Sequence, residues 1–487
     1  MSVLKNLLTG GGIPLLLAAG ALFFAIYLRG LPFLRPRAML RALTEKRPGG
    51  ISPFRAVTQA LAGTLGVGNI AGVANAMALG GAGAIFWMWI SALLAMILKY
   101  AEILLAVRHR ETAPDGSHTG GAVYYIRQSF SNRRFCGALA LLFALLMILN
   151  SFTMGCVIQV NAVSSAFRGV LGIPPWITAI LLVLLTLPVI FRGSCGISAL
   201  TEYLVPIMSL GFVILSVTVL VLRREALPGA CRSIFREAFS PKSAAGGALG
   251  FLTSRALRMG TMRGLLSNEA GCGTAPTAHA GANTSSPAAQ GVWGIFEVFV
   301  DTILLCSLTA LVILVNFPAA EVYAEAPVMM TVAAFAASLG DGAGWFLSAA
   351  ILCFGYATVI CWADYGAQSL WAIKKSPRLK TFYLILFLCA VPLGCLVAPG
   401  AIWNLSDFAI TALTTINLVA LWGLRREIRE ETRARFGTYE RQRKTKTSSA
   451  ASGGTTFRRR GRKRPTIHLT QEKQTDTRKK KKKKSNR

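Results

Sequence analysis

The chain has 487 residues, of which 53% are hydrophobic and only 15% charged. Soluble domains carry about 25% charged residues, so most of this chain belongs in a solvent other than water. The net charge of +31 is unevenly spread: from Arg425 onward 24 Lys and Arg face 6 Asp and Glu, which puts much of the surplus in one terminal stretch and argues against a specific nucleic-acid-binding domain. The ten cysteines include Cys156, Cys306, Cys353 and Cys389 inside apolar runs, and no C-x-x-C pair occurs, so they read as packing residues. No P-loop is present to bind ATP, and no nucleophile–base or metal-ligand motif suggests an intramembrane enzyme.

Taken in chain order, apolar stretches near the ~20 residues that cross a bilayer predict eleven spans. These are 13–31, 53–79, 83–108, 136–168, 174–192, 199–222, 244–282, 288–316, 342–372, 380–397 and 402–422. The first, from Ile13 to Leu28, is followed by arginines and not by an A-x-A site, so it reads as a span rather than a cleaved signal. Lys and Arg concentrate on the cytoplasmic side of a membrane. The basic loop 32–52, the loop 109–135, the cluster Lys374, Lys375, Arg378 and Lys380, and the tail therefore point inward, whereas 317–341 holds Glu321, Glu325 and Asp341 and faces outward. The loop 223–243, with Arg223, Arg224, Arg232, Arg236 and Lys242, runs against this assignment. The expected architecture is an all-α, multi-pass protein of the cell (inner) membrane with a cytoplasmic C-terminus. It divides into 1–50 (first span and basic loop), a core over 51–424, and a basic disordered cytoplasmic tail over 425–487, ending in the lysine run 479–484. That tail could bind anionic lipid electrostatically.

Two spans differ from the rest. The second contains Gly63-Thr64-Leu65-Gly66-Val67-Gly68-Asn69-Ile70-Ala71-Gly72, and the seventh Ser267-Asn268-Glu269-Ala270-Gly271-Cys272-Gly273-Thr274-Ala275-Pro276. Glycine costs about 1 kcal/mol relative to alanine in a helix, and backbone that leaves the helix within a bilayer must be buried in protein or line a cavity. The breaks stand five spans apart, so spans 2–6 and 7–11 predict two five-helix halves of opposite orientation, with substrate and ion held where the broken helices meet. Close helix packing, as in Gly68-x-x-x-Gly72, is the alternative use of the glycines.

These motifs carry a resemblance. Gly66 to Ala74, Gly80 to Trp89, Lys99-Tyr100-Ala101-Glu102, Gly120 to Tyr125, Thr201 to Pro206 and Ser267 to His279, continuing to Asp301-Thr302, resemble the alanine or glycine:cation symporter family. The similarity runs from about residue 50 to 425 and implies a leucine-transporter-type fold of 5+5 inverted repeats after one extra N-terminal helix. It also implies import of a small neutral amino acid of the alanine or glycine type, with sodium (or a proton) as coupling ion and no other cofactor. The sequence departs from the family pattern at Ala82 and Ala122 (usually Pro), Val67 (Thr), Cys156 (Asn) and Ala357-Thr358 (Ser-Thr). The family's usual acidic residue falls at Ala367, one helical turn from Asp364. Several hydroxyls and an amide are therefore missing near the expected ion and substrate sites, which leaves open a proton-coupled or transport-deficient sensor relative.

The expected substrate contacts are Thr64, Gly66, Gly68 and Asn69 at the first break, and Asn268, Gly271, Gly273 and Thr274 at the second. There, free N–H groups at a half-helix start suit a carboxylate. Gln159 and Asn268 offer oxygens to an ammonium, with a polar interhelical hydrogen bond as the bland alternative. By the resemblance, Trp362 forms an aromatic wall of the pocket, and sodium is held by the carbonyls of Ala62 and Leu65 and the hydroxyl of Thr358. Intramembrane carboxylates are functional candidates by default, which selects Glu269, Asp301 and Asp364 for gating or proton linkage, with Glu297 nearby. Lys99 and Glu102, three residues apart, read as an ion pair snorkelling at the inner end of span 3.

Overall fold

The computed structural model describes residues 13–30, 32–45, 49–112, 117–239, 255–317, 327–397 and 400–437. Apart from one ribbon, β1 (Glu111–Thr112) antiparallel to β2 (His118–Thr119), the regular structure among these residues is helical. In order, the helices are α1 (Ile13–Tyr27), α2 (Pro36–Thr44), α3 (Pro53–Thr64), α4 (Ala71–Gly80), α5 (Gly83–Arg108) and α6 (Ala122–Ile126). There follow α7 (Arg133–Phe152), α8 (Ile158–Leu171), α9 (Pro175–Ile190), α10 (Gly193–Leu222), α11 (Leu227–Ala238), α12 (Arg255–Asn268) and α13 (Pro276–Ala280). The last are α14 (Pro287–Val298), α15 (Ser307–Asn316), α16 (Pro327–Leu339), α17 (Gly342–Ile373), α18 (Pro377–Leu396), α19 (Gly400–Gly423) and α20, residues 425–437.

Among the described residues, seven helices are long and apolar enough to cross a membrane, and eight if the bent pair α3–α4 counts as one. The expected spans 1 and 5 are shorter apolar helices, and part of span 7, residues 244–254, lies outside the described residues. Two spans carry π turns: Thr153–Val157 joins α7 to α8, and Phe299–Cys306 joins α14 to α15. Such turns add a residue to the helical repeat and occur often at functional sites.

Burial sorts the helices. In its most apolar window α5 is 78% buried, against 28% for α10 and 33% for α18. The exposed positions on α9, α10 and α18 include Leu184, Ile207, Leu210 and Leu393, which is the apolar surface that lipid requires. The central helix α5 is reached closely by α14 because the latter has glycines there: a Cβ at Gly291 would stand 2.7 Å from the Tyr100 ring, and one at Gly294 2.4 Å from Ile103. Small residues at such contacts let helices gain van der Waals packing, the main attraction available in lipid.

Three segments expected as loop or tail are helices. In the positively charged stretch 223–243, α11 lies over the start of α5. The Ala82 N–H donates to Glu237 Oε2 (2.7 Å) and Trp87 Nε1 to the Ala238 carbonyl (3.2 Å), so a side chain supplies a cap that α5 itself lacks. In 317–341, α16 buries Met330, Thr331 and Phe335; Glu321 and Glu325 lie outside the described residues. The tail expected to be disordered from Arg425 is corrected for 425–437. Ile428, Thr432 and Phe436 are buried at four-residue spacing, one stripe of a helix among charges, and Thr432 and Tyr100 join hydroxyls at 2.9 Å. Arg108 pairs with Glu427 at 2.7 Å and also with Glu431. The remainder of the tail, with its lysine run, lies outside the described residues.

Candidate functional site

The first break bends α3 away from α4 by 61°. A helix that stops leaves carbonyls and N–H groups without partners, and inside a membrane those groups need protein donors or acceptors. Helix α17 supplies the donors. Thr358 Oγ1 donates to the Ala62 carbonyl (2.9 Å) and Trp362 Nε1 to the Gly63 carbonyl (3.2 Å). On the other side Gln159 Oε1 accepts the Val67 N–H (3.0 Å), while Gln159 Nε2 donates to the Met154 carbonyl at the π turn (3.1 Å). Gly66 sits between them: a Cβ there would stand 2.6 Å from Gln159 Oε1 and 2.8 Å from Thr358 Oγ1. A small cavity opens beside this junction, with Thr64, Gly68, Gly72, Gln159, Arg263 and Trp403 in its lining. Within that lining the Arg263 guanidinium lies 5.2 Å over the Trp403 ring, and it is 3.9 Å from Asp407 Oδ1.

The second break is closed by its own protein. Glu269, Gly271 and Gly273 take φ values of +51°, +84° and +78°, the left-handed region in which glycine alone is unstrained. Glu102 Oε2 accepts the Gly273 N–H (3.0 Å) and Asn417 Nδ2 (2.8 Å), and Asn417 Nδ2 also reaches the Gly271 carbonyl (2.9 Å). Glu269 accepts the Thr274 hydroxyl at 2.6 Å. Asp301, on the second π turn, ties the two breaks together. Its Oδ1 accepts Asn69 Nδ2 (2.8 Å), and its Oδ2 accepts the Ser267 and Thr302 hydroxyls (2.7 Å each). Asn268 Nδ2 donates to Thr302 Oγ1 (3.1 Å) and its Oδ1 accepts the Ala270 N–H (3.0 Å).

Of the expected substrate contacts, then, Thr64, Gly68 and Gln159 line the cavity, while Gly66 lies at the junction between Gln159 and Thr358 and is not in the lining. Asn69, Asn268, Gly271, Gly273 and Thr274 are absent from its lining; the side chains and the Gly273 N–H are engaged in the second-break network. Trp362 is wholly buried, packed so closely on Gly155 that a Cβ there would be 2.3 Å from Trp362 Cβ, and it is absent from the cavity lining. Thr358 and the Ala62 carbonyl are adjacent, while Ala357 is buried beside them without a hydroxyl. Asp364 lies further along α17, where its carboxylate accepts Gln59 Nε2 (3.1 Å), the Ser194 hydroxyl (2.8 Å) and Gln368 Nε2 (3.4 Å).

The snorkelling pair Lys99–Glu102 is corrected. Both residues are fully buried; Lys99 Nζ donates to the Asn268 carbonyl (2.9 Å) and pairs with Glu297 (3.0 Å), which also bonds His279 Nε2 (3.1 Å). Three-residue spacing put Lys99 and Glu102 on one face of α5, but that face looks into the protein, where each charge has a separate partner. Arg263, Trp403, Asp407 and Asn417 were not anticipated. Two of them carry a signal, an ionisable side chain inside a predicted span: Arg263, six residues before Glu269, and Asp407 within 402–422.

Residues 1–452 match the sodium:alanine symporter family. The chain belongs to that family. An uncharacterized transporter of Haemophilus influenzae is 36% identical over 448 residues, covering 90% of this chain and 95% of its own. The sodium/alanine symporter AgcS of Methanococcus maripaludis is 33% identical over 432 residues (88% and 93%), and the probable sodium/glutamine symporter GlnT of Bacillus subtilis 33% over 426 (87% and 87%). The crystal structure of MhsT in complex with L-phenylalanine aligns with a TM-score of 0.50 at 14% identity, over 77% of this chain and 89% of that one. The fold is thus of the leucine-transporter type. This member of the sodium:alanine symporter family is a multi-pass, sodium-coupled amino-acid symporter and not an enzyme.

Proposed function

We propose that this symporter carries a small neutral amino acid of the alanine or glycine type, bound in the cavity beside the first break. The supporting observation is that cavity's lining: unwound backbone at Val67 and Gly68, the residues Thr64 and Gln159 with their hydroxyl and amide, and little room beyond them. Half-helix N–H groups beyond Gly66 suit the substrate carboxylate, and the Gln159 amide suits the polar end of the same molecule. Sodium fits oxygen ligands, and the carbonyls of Ala62 and Leu65 with the Thr358 hydroxyl are the set we assign to it. The protein is read as lying in the cell (inner) membrane with α20 and the basic tail in the cytoplasm. The charge of the segments at that end supports this, and the Trp403 side of the cavity, at the opposite end of α19, then lies toward the outside. The expected 5+5 inverted repeat remains part of this reading.

A second reading, proton coupling, is favoured by Asp364. Its buried carboxylate is held by neutral donors from α3, α10 and α17, whereas Ala357 and Val67 lack the hydroxyls that would strengthen a sodium site. Uptake of radiolabelled alanine, glycine and glutamine into proteoliposomes under separate sodium and proton gradients decides between them. Sodium-driven uptake of alanine or glycine is expected; uptake of glutamine alone would refute the small-substrate assignment, and uptake driven by protons alone the sodium site.

A further inference from the structure

A second, larger cleft of about 450 Å³ opens at the end of α5 nearest the C-terminal helix, away from the substrate cavity. Small-molecule sites occupy about 300–1,000 Å³, so the volume is that of a ligand site. Arg108, His109, Arg110, Tyr124, Arg127 and Arg133 line it. Its one acidic lining residue, Glu111, is already paired with Lys375 at 2.7 Å.

Basic residues at a membrane rim are ordinarily solvated charges that set orientation. These differ in where they are tethered. Arg110 Nη1 donates to the carbonyls of Ala280 (3.1 Å) and Ala282 (2.5 Å), and Arg127 Nη2 to that of Ala372 (2.5 Å). Carbonyls satisfy hydrogen bonds but do not neutralise a charge. Arg108 is compensated by Glu427 and Glu431 on α20, so five cations, counting Lys375, share three carboxylates. The Tyr124 hydroxyl is buried at the cleft without a partner, although a buried hydroxyl normally has one.

We infer that this cleft is a binding site for a multiply charged phosphate group, held by Arg110, Arg127 and Arg133 with the Tyr124 hydroxyl as a further donor. Guanidinium forks match phosphate oxygens two at a time, and a single carboxylate has too few oxygens for three of them. Ala280 ends α13, the short helix after the second break, Ala282 lies two residues beyond it, and Ala372 lies in the last turn of α17, the helix whose side chains bond the first break. A phosphate drawing Arg110 and Arg127 off those carbonyls would therefore act on two helices of the transport site.

The source of the phosphate is either a soluble phosphate compound or an anionic lipid headgroup at the rim. Full-length protein in neutral detergent is titrated with inorganic pyrophosphate at ionic strength held constant with sodium chloride, and thermal unfolding is followed. In a parallel arm the protein is placed in nanodiscs of phosphatidylcholine alone or with phosphatidylglycerol. Stabilisation in either arm, weakened roughly tenfold or more in apparent affinity by Arg133→Gln and by Arg127→Gln, is expected from the loss of one charge-assisted contact. Arg133 has an exposed side chain outside the tethers, so its variant tests the site even if Arg127→Gln folds poorly. Stabilisation by pyrophosphate assigns a soluble ligand, and stabilisation by phosphatidylglycerol alone assigns a headgroup. No stabilisation in either arm, or stabilisation that both variants retain, overturns the site. The readout is binding, so it does not depend on which amino acid is carried.

Discussion

Gln159 reaches from α8 to the unwound segment of the neighbouring span and accepts the Val67 N–H at 3.0 Å. The same side chain lines the cavity proposed for the substrate, so the amide that stabilises the break is also presented to that cavity. A ligand carboxylate that takes an N–H of this segment enters a hydrogen-bond system already organised by Gln159.

Replacing Gln159 with Leu should therefore damage both functions of the side chain. A buried N–H left without a partner costs about 1–3 kcal/mol, and the cavity loses its amide. We expect uptake to fall at least tenfold in kcat/KM, with Gln159→Asn recovering less than half because it is one methylene too short. Initial-rate uptake over a range of substrate concentrations measures this.

Gly66 and Gly72 give opposite expectations for the same change. A methyl at Gly66 meets Gln159 Oε1 at 2.6 Å and Thr358 Oγ1 at 2.8 Å, whereas nothing lies within 4 Å of one at Gly72. Gly66→Ala should abolish uptake in a protein that still inserts, while Gly72→Ala should remain active with a changed KM. Equal activity of the two would show that the junction does not need to close as tightly as its geometry implies.

For the coupling ion, Ala357→Ser restores a hydroxyl next to Thr358. A neutral oxygen ligand is worth on the order of 1 kcal/mol net, so half-maximal uptake should need roughly fivefold less sodium; Thr358→Val should need more. Asp364→Asn should alter the pH dependence of uptake only if protons couple. Sodium titrations in which neither residue of α17 matters would remove the ion from this helix.

Lys99 and Glu297 form a fully buried pair at 3.0 Å. Removing one partner of such a pair typically costs about 3–5 kcal/mol, since the other charge stays buried. Lys99→Met should lower the thermal unfolding temperature sharply in detergent, and Lys99→Met combined with Glu297→Gln should recover part of the loss. If the double variant is no better than the single, the ammonium matters mainly for holding the Asn268 carbonyl.

Truncation separates α20 from the tail that follows. Ending the chain after Gly437 should leave uptake within about twofold, whereas ending it after Leu424 removes buried Ile428 and Phe436, each worth about 1.5–3 kcal/mol of burial. The shorter protein should unfold at lower temperature and lose activity. Unchanged stability after the shorter truncation would mean that α20 only decorates the surface.

The sequence by itself determined the solvent, the two broken spans and the family, because each is written in local chemistry. Apolar length sets a span, glycine and proline interrupt it, and the motifs around Gly66 and Ser267 are contiguous. It also selected Gln159, Asp301 and Thr358 as candidate substrate, gating and ion residues inside the membrane. The tertiary structure decided which partner each one found. Glu102, three residues from Lys99, instead bonds Gly273 and Asn417, which are 171 and 315 residues away. Asn268, beside the second break, turns to Thr302 instead of the cavity, and Arg263 lines the cavity that Asn268 does not reach. Burial penalises a polar group without a partner, but spacing along one helix reports only which face it shares. The neighbouring helix that supplies the partner is set by packing across the whole bundle.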